Sequence, residues 1–275
     1  MYGLKSTKKQ VHLRQLEIER RYRKPMWKNY LNDAGVALSL LTRIPLRLSE
    51  NALERSNKAV WAYGLAGAVW AVMVWSVSAI AIALGLGHFI SVLLGLAAGT
   101  ILTGAIHEDG LADSADGLWG GWEKKRRLEI MKDSTIGVYG VVALFFVLFL
   151  RWQLISHLFE LSIALAALLT AGSFSRAVLG VIMVLLPNVR SDGLSHSVGR
   201  PKPILACFGV GISALAALLL LGLTGLIACV IGCITAWACA AIANHKISGQ
   251  TGDILGATAI LTEITIMIAI FSFAQ

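Results

Sequence analysis

Long apolar stretches, separated by shorter polar segments, constrain the fold of this chain more than any other feature. The hydrocarbon core of a bilayer is about 30 Å thick, so a helix needs roughly 20 apolar residues to cross it. Seven stretches of this kind occur among the 275 residues, near 59–84, 88–106, 138–158, 160–187, 204–222, 225–243 and 254–273. We therefore predict an all-α polytopic membrane helix bundle. Six spans are the alternative, if the fifth and sixth stretches form one helix through the Gly222–Gly225 segment.

The composition excludes the other broad classes of protein. Apolar residues make up 56% of the chain and charged residues only 15%, whereas soluble globular domains average about 45–50% and 25%. This is too little polar material to cover a soluble core, and the same values argue against a disordered chain or a coiled coil. The net charge of +8 suits anionic lipid or an anionic substrate and does not by itself indicate nucleic acid.

The cations lie almost entirely on one side of the predicted spans. Of the 24 Lys and Arg residues, 22 precede the first span or fall in three polar loops, at 107–137, 188–203 and 244–253. With seven spans, the loops on the opposite side contain no Lys or Arg. The positive-inside rule then predicts a cytoplasmic N-terminus and three cytoplasmic loops. We expect a multi-pass protein of the cell membrane whose active site faces the cytoplasm.

The N-terminal 1–35 segment differs from the rest of the chain, which we interpret as one transmembrane domain over 36–275. Residues 5–28 mix many Lys and Arg with spaced apolar residues. This pattern is typical of a basic amphipathic helix on a membrane surface, and a solvated arm explains it equally well.

The densest polar segment, His107–Gly117, suggests a metal site. Asp109, Asp113 and Asp116 are spaced i, i+4 and i+7, so on a helix they share one face within about 60°. Carboxylates at that spacing repel one another unless a cation lies between them. Oxygen ligands alone favour Mg²⁺ over Zn²⁺. The alternative is an ordinary acidic turn exposed to water.

The basic residues that follow suggest the substrate. Lys124–Arg127 is a run of four cations, and Arg126 recurs at helical spacing with Glu129 and Asp133, with Lys132 beside them. Acids that bind metal and bases that bind phosphate on one loop fit phosphoryl transfer on a pyrophosphate. Lys124 and Lys125 could instead face lipid.

Charged residues inside the predicted spans are candidates for functional residues, because burying a charge in lipid is costly. We expect Arg176 to point toward the phosphate site, with Glu263 as its possible partner. Arg151 lies nearer the outer end of its span, and we interpret it as a side chain that extends toward the lipid headgroups. The 248–253 turn opens the last span, where Gln250 could contact substrate and Asp253 could do so or simply cap the helix.

Several motifs of the chain resemble those of a known family. The runs His107–Gly117 and Leu128–Gly137, with Gly140, carry the resemblance, together with Leu41–Pro45, Ser175-Arg176 and Gly249–Ala257 with Thr262-Glu263. In this order they resemble the cobalamin synthase family, the adenosylcobinamide-GDP ribazoletransferases, over roughly 36–273. Glu108 departs from the family pattern, which usually has Leu there.

The resemblance implies a Mg²⁺-dependent membrane transferase. Such enzymes join adenosylcobinamide-GDP to alpha-ribazole, or to its 5′-phosphate, and release adenosylcobalamin (or its phosphate) and GMP. The chemistry is similar to that of the CDP-alcohol phosphotransferases, whose Asp-x-x-Asp-Gly element matches Asp113–Gly117 here.

The resemblance also implies roles for individual residues. Metal binding is expected of Asp109, Asp113 and Asp116, and the catalytic base is expected to be Asp133 or one of these. Substrate contacts are expected of seven further residues: His107, Arg126, Lys132, Arg176, Gln250, Asp253 and Glu263. Membrane lipid is an expected partner, and an oligomer is compatible with the sequence.

Two alternative functions are weaker. A phospholipid-making CDP-alcohol phosphotransferase would have Ala-Arg soon after its Asp-Gly, whereas Gly117 is followed by Leu-Trp-Gly. A divalent-cation transporter would bury acids in several spans, whereas essentially only Glu263 lies deep in one.

Overall fold

The computed structural model describes residues 26–274 and is built from α-helices. Apart from one isolated backbone bridge between Asn188 and Gln250, the described residues contain no β-structure. A 3₁₀ segment, Ser56–Ala62, leads into the third helix. The helices are α1 (Met26–Leu41), α2 (Glu50–Leu53), α3 (Tyr63–Ala83), α4 (His88–Thr103), α5 (Ile106–Gly120), α6 (Lys124–Ile130), α7 (Val138–Glu160), α8 (Ala164–Leu185), α9 (Leu194–Val198), α10 (Pro203–Ile247) and α11 (Gly252–Ala274).

The all-α prediction is therefore confirmed for the described residues. The described residues from Asp33 onward form one compact unit, and the site lies wholly within it. Most of the predicted basic surface helix at 5–28 falls outside the described residues, so its conformation stays a prediction.

Within the described residues, five helical segments are long and apolar enough to cross a membrane. These are 56–83, α7, α8, α10 and α11, and a sixth results if α4 and α5, which are bent by 85°, together form one span. The predicted total of seven depends on how α10 is divided, and that total stays a prediction.

The helix α10 reverses direction within its length. Its 45 residues would extend roughly 68 Å if straight, more than twice the thickness of the bilayer core. Gly222 has left-handed backbone angles, φ 61° and ψ −142°. A Cβ at Gly225 would collide with the carbonyl oxygen of Ala217, an approach that is impossible along a straight helix. The turn thus falls in the Gly222–Gly225 segment that the sequence pattern indicated.

The helix α5 carries the acidic segment that the sequence pattern placed in a loop. Gly104 and Ala105 both have left-handed φ, 64° and 58°, and they turn the chain sharply between α4 and α5. With 15 residues, α5 extends roughly 22 Å and is too short to cross the bilayer alone. The acids of 107–117 therefore lie on an ordered helix, which fixes their directions relative to one another.

Two helices form the centre of the bundle. In the most apolar stretch of α8 and of α11, 72% and 78% of the residues are buried inside the protein. In α7 and α10 the corresponding share is 22%. These two helices therefore have the exposed apolar faces that contact with lipid requires. Close packing uses glycine: a Cβ at Gly67 of α3 would collide with the backbone of Gly172 in α8. Such small-residue contacts are typical of helices that associate in lipid.

Candidate active site

The acidic helix α5 is held against the start of α11 by direct backbone contact. A Cβ added at Gly110 would lie 2.8 Å from the carbonyl oxygen of Asp253 and 3.1 Å from the Cα of Gly256. No side chain fits between the two helices at this point. The contact places the acids of α5 beside the 249–253 turn, which lies more than 130 residues later in the chain.

The three aspartates of α5 differ in their surroundings. Asp109 is exposed, Asp113 is partly buried and Asp116 is buried. Burial and the nearby carboxylates of Asp109 and Asp253 raise the pKa of Asp113 to about 7, while Arg190 acts in the opposite direction. Crowding of negative charge at this position favours a bound cation or a proton.

Asp116 has two backbone partners. Its carboxylate oxygens accept hydrogen bonds from the N–H groups of Gly137, at 2.7 Å, and Gly140, at 2.9 Å. These are N–H groups at the start of α7 that have no partner within the helix. Asp116 therefore holds the 131–137 loop and the start of α7 against α5, and its predicted role as a metal ligand stays a prediction.

A cation that the sequence pattern did not single out lies at the same site. Arg190 forms an ion pair with Asp253, with 2.8 Å between Nη2 and Oδ2. The only sequence signal was its place in the 188–203 loop, which has no motif of its own. Tertiary contact brings this loop to the acids, so spacing alone could not have found Arg190.

The position of Arg190 is set by pairing between two loops. Val189 donates to the carbonyl of Gln250 at 3.0 Å, and Gln250 donates to the carbonyl of Pro187 at 2.9 Å. The Ser195 hydroxyl donates to the Gln250 side-chain oxygen at 2.8 Å. Gln250 is only 2% exposed, so in this structure its side chain supports the loop, and its predicted contact with substrate stays a prediction.

Two cavities flank Asp109, which lines both of them. The first cavity has a volume of about 200 Å³, and its polar lining includes His107, Arg190, Asp192 and Asp253. The second has a volume of about 540 Å³, and its polar lining includes Glu108, Asp113, Lys132 and Asp133. Lys132 of the second cavity forms a 2.6 Å ion pair with Asp192 of the first, so the loops around the two cavities touch.

Asp133 and Arg126 are both exposed. A hydrogen bond from the Thr135 N–H lowers the pKa of Asp133, which makes this carboxylate a weak base. Arg126 pairs with Glu129 at 3.3 Å and does not line either cavity. Asp133 does line the second cavity, and both assignments stay predictions.

The intramembrane charges form one buried network. Arg151 lies 2.9 Å from both Glu108 and Glu263, and Arg176 pairs with the other oxygen of Glu263. The two guanidinium groups lie 4.9 Å from the ring of Trp70. The pairing of Arg176 with Glu263 is confirmed. The interpretation of Arg151 as a side chain reaching toward lipid headgroups is wrong, because it is 1% exposed.

The network lies beside the cavities but does not open into the first one. Arg176 and Glu263 line neither cavity, whereas Glu108 borders the second. The predicted contacts of Arg176 and Glu263 with substrate stay predictions. Four helices, α5, α7, α8 and α11, are tied together by these side chains, and Glu108, the departure from the family pattern, has Arg151 as its partner.

The donors at the junction of the cavities fit a hard cation. In the described part of the chain, no group of three His, Cys, Asp or Glu side chains is arranged to hold a metal by itself. Mg²⁺ does not require such a cage, since it usually binds one or two carboxylates together with substrate phosphates and water. Asp109 and Asp113 provide oxygen ligands of that kind, whereas the oxygens of Asp116 are already hydrogen-bonded.

The fold and site define a helical membrane enzyme with a carboxylate-lined centre between two cavities. Comparison with known proteins then identifies the family. A family model described as cobalamin-5-phosphate synthase matches residues 33–271, and the chain belongs to that family.

Curated relatives carry the name adenosylcobinamide-GDP ribazoletransferase. The protein from Mesorhizobium japonicum is 41% identical over 240 residues, which cover 86% of this chain and 92% of the relative. That from Bradyrhizobium diazoefficiens is 38% identical over 259 residues, covering 90% and 95%. That from Azorhizobium caulinodans is 39% identical over 256 residues, covering 89% and 97%. No solved structure matches the chain.

Proposed function

We propose that this protein joins adenosylcobinamide-GDP to alpha-ribazole, or to its 5′-phosphate, and releases GMP. One observation carries the proposal: Asp109 lines two cavities at once, as a transferase with two substrates requires at its reacting centre. The family and the names of the relatives support the same reaction.

The reaction is an attack of the ribazole oxygen on the phosphorus that links the corrinoid to GMP. The new oxygen–phosphorus bond forms as the bond to the GMP phosphate breaks, and GMP leaves with the electron pair. Lys132 and Arg190, which line the second and first cavities, attract the phosphate oxygens. The proton of the attacking hydroxyl passes to a carboxylate of the Asp109, Asp113 and Asp253 cluster, because the lowered pKa of Asp133 makes that carboxylate a weaker base.

Mg²⁺ is the metal we propose, with Asp109 and Asp113 as its protein ligands. When bound, it would neutralise charge on the pyrophosphate and on the departing GMP. The protein residues position the substrate around it: Asp116 holds the neighbouring loop through Gly137 and Gly140, and Gln250 holds the loop that carries Arg190.

The test uses the full chain in membranes supplied with adenosylcobinamide-GDP and alpha-ribazole. We expect formation of GMP and the cobalamin product in equal amounts with Mg²⁺ and none after chelation. Asp113→Asn should reduce the rate at least a hundredfold. Glu129→Gln changes an exposed acid of α6 outside both cavities and should leave the rate within twofold. Absence of product from the unaltered protein would refute the proposed reaction.

We further propose that the site faces the cytoplasm in the cell membrane, with seven spans. The support is the distribution of Lys and Arg, which crowd the loops at 107–137, 188–203 and 244–253. The left-handed Gly222 and the reversal at Gly225 allow α10 to contribute two of these spans.

A further inference from the structure

We propose that the first cavity binds the planar aromatic base of the ribazole and that the second binds the activated phosphate of the other substrate. This inference rests on the proposed function and assigns each substrate to a place. Asp109 lies where the two places meet.

The first cavity has an apolar wall suited to an aromatic ring. Leu40, Leu179, Met183 and Leu255 are among its lining residues, and Leu179 and Met183 are each only 2% exposed. The dimethylbenzimidazole ring of ribazole is planar and carries two methyl groups, so burial against such a wall is favourable in proportion to the apolar area removed from water.

The size of the first cavity agrees with this assignment. Its volume of about 200 Å³ lies below the roughly 300–1,000 Å³ of pockets that enclose larger ligands. A bicyclic ring fits a space of this size, whereas a corrinoid joined to a nucleotide does not.

One of the side chains that line this cavity, His107, has a buried ring nitrogen. His107 is 3% exposed, and within the described residues its Nε2 has no hydrogen-bond partner. An unpaired polar atom of this kind is costly to bury, so a ligand that pairs with it gains affinity. The free ring nitrogen of the base, or a ribose hydroxyl, supplies a suitable partner.

The polar end of the same cavity suits the sugar. Arg190 and Asp253 lie there beside Asp109. With the base against the apolar wall, the ribose and its attacking hydroxyl extend toward these charges and hence toward the second cavity.

The second cavity is less apolar than the first, although Met131, Ile136 and Leu144 also line it. It is larger, about 540 Å³, and Lys132, Asp113, Asp133 and Ser134 line it. A pyrophosphate with its metal requires charged partners, and this cavity supplies them in a larger space than the first.

The test compares Michaelis constants for the two substrates. Met183→Phe adds bulk to the wall of the first cavity, and we expect the KM for alpha-ribazole to rise at least tenfold while that for adenosylcobinamide-GDP stays within twofold. Leu261→Phe is the matched control, because Leu261 lines a different apolar cavity behind α5. It should leave both constants within twofold.

A second variant keeps the inference testable if Met183→Phe fails to fold. Met183→Ala removes contact with the ring, so the preference for ribazole over its analogue without the two methyl groups, measured as a ratio of kcat/KM, should fall at least threefold. His107→Leu should raise the KM for ribazole and leave that for the nucleotide substrate within twofold.

The outcomes separate this inference from the function on which it rests. If the unaltered protein forms no GMP, the proposed function fails. If it is active but the Met183 variants change the KM of the nucleotide substrate, change both equally or change neither, the assignment of the cavities is overturned and the function stands.

Discussion

At the scale of single residues, the buried charges around Trp70 form ion pairs between side chains of different helices. Two arginines and two glutamates from four helices neutralise one another, and all four side chains are buried. The favourable contacts offset a large desolvation cost, so the net contribution of the intact set is modest. Removing one member leaves an uncompensated charge, which is much more costly than removing a pair.

We expect Arg151→Leu to destabilise the protein by about 3–5 kcal/mol, because Glu108 then lies buried without its cation. The double variant Glu108→Leu/Arg151→Leu leaves Arg176 paired with Glu263 and should recover most of the loss. Thermal unfolding of the detergent-purified protein measures both. A double variant no more stable than Arg151→Leu would show that Glu108 is not the partner that matters.

Asp116 makes a second prediction at this scale. Asn has one acceptor oxygen where Asp has two, so Asp116→Asn leaves the N–H of Gly137 or Gly140 with a poorer partner, at a cost of about 1–3 kcal/mol. Hydrogen exchange at residues 134–141 should accelerate. Asp192→Asn, which breaks only an exposed ion pair, should leave exchange there unchanged, and equal effects of both variants would contradict this role.

At the scale of elements, the contact of α5 with α11 sets the geometry of the site. The acids and the 249–253 turn are brought together by Gly110 and Gly256, at a distance that no larger residue permits. Helical spacing explains why the three aspartates share a face of α5, but it does not explain which other groups that face meets.

Gly110→Ala should separate these two helices. The added Cβ meets the backbone of Asp253 at 2.8 Å, and overpacking of this kind costs about 1–3 kcal/mol. We expect the rate of GMP release to fall at least tenfold because Asp253 and Arg190 move away from Asp109.

Gly120→Ala is the matched control on the same helix. A Cβ at Gly120 would lie 3.8 Å from the side chain of Ile130, an ordinary van der Waals contact, so the rate should remain within twofold. Full activity in Gly110→Ala would show that this close approach is not required for catalysis.

At the scale of the whole molecule, the proposed seven-span arrangement would place the loops that form the site on one side of the membrane. Arg127 donates to the carbonyl of Lys246 at 2.8 Å, so the segments after α5 and before α11 meet directly. This contact requires the ends of the intervening spans to return to the same side.

The topology can be measured with single cysteines in a variant from which Cys207, Cys229, Cys233 and Cys239 have been replaced. A thiol reagent that does not cross membranes should label a cysteine at Leu86 in intact cells. One at Ser191 should react only after the cells are opened. Labelling of both positions in intact cells, or of neither, would refute the proposed orientation.

The sequence by itself determined the class of fold and the identity of the acidic segment. The length of the apolar stretches indicated helices, because a segment in lipid must satisfy its backbone N–H and C=O groups internally. The left-handed Gly222 lies where the sequence pattern indicated a turn. The pairing of Arg176 with Glu263 could be expected because few buried charges were available to choose from.

Only the tertiary structure decided the composition of the site. Arg190 reaches it through pairing of two loops about 60 residues apart, Asp116 binds backbone N–H groups, and Arg151 is buried beside Glu108. Periodicity along one helix describes which residues share a face, whereas these contacts depend on which faces of different helices meet. That information is distributed over the packing of the whole bundle and is not present in any local stretch of sequence.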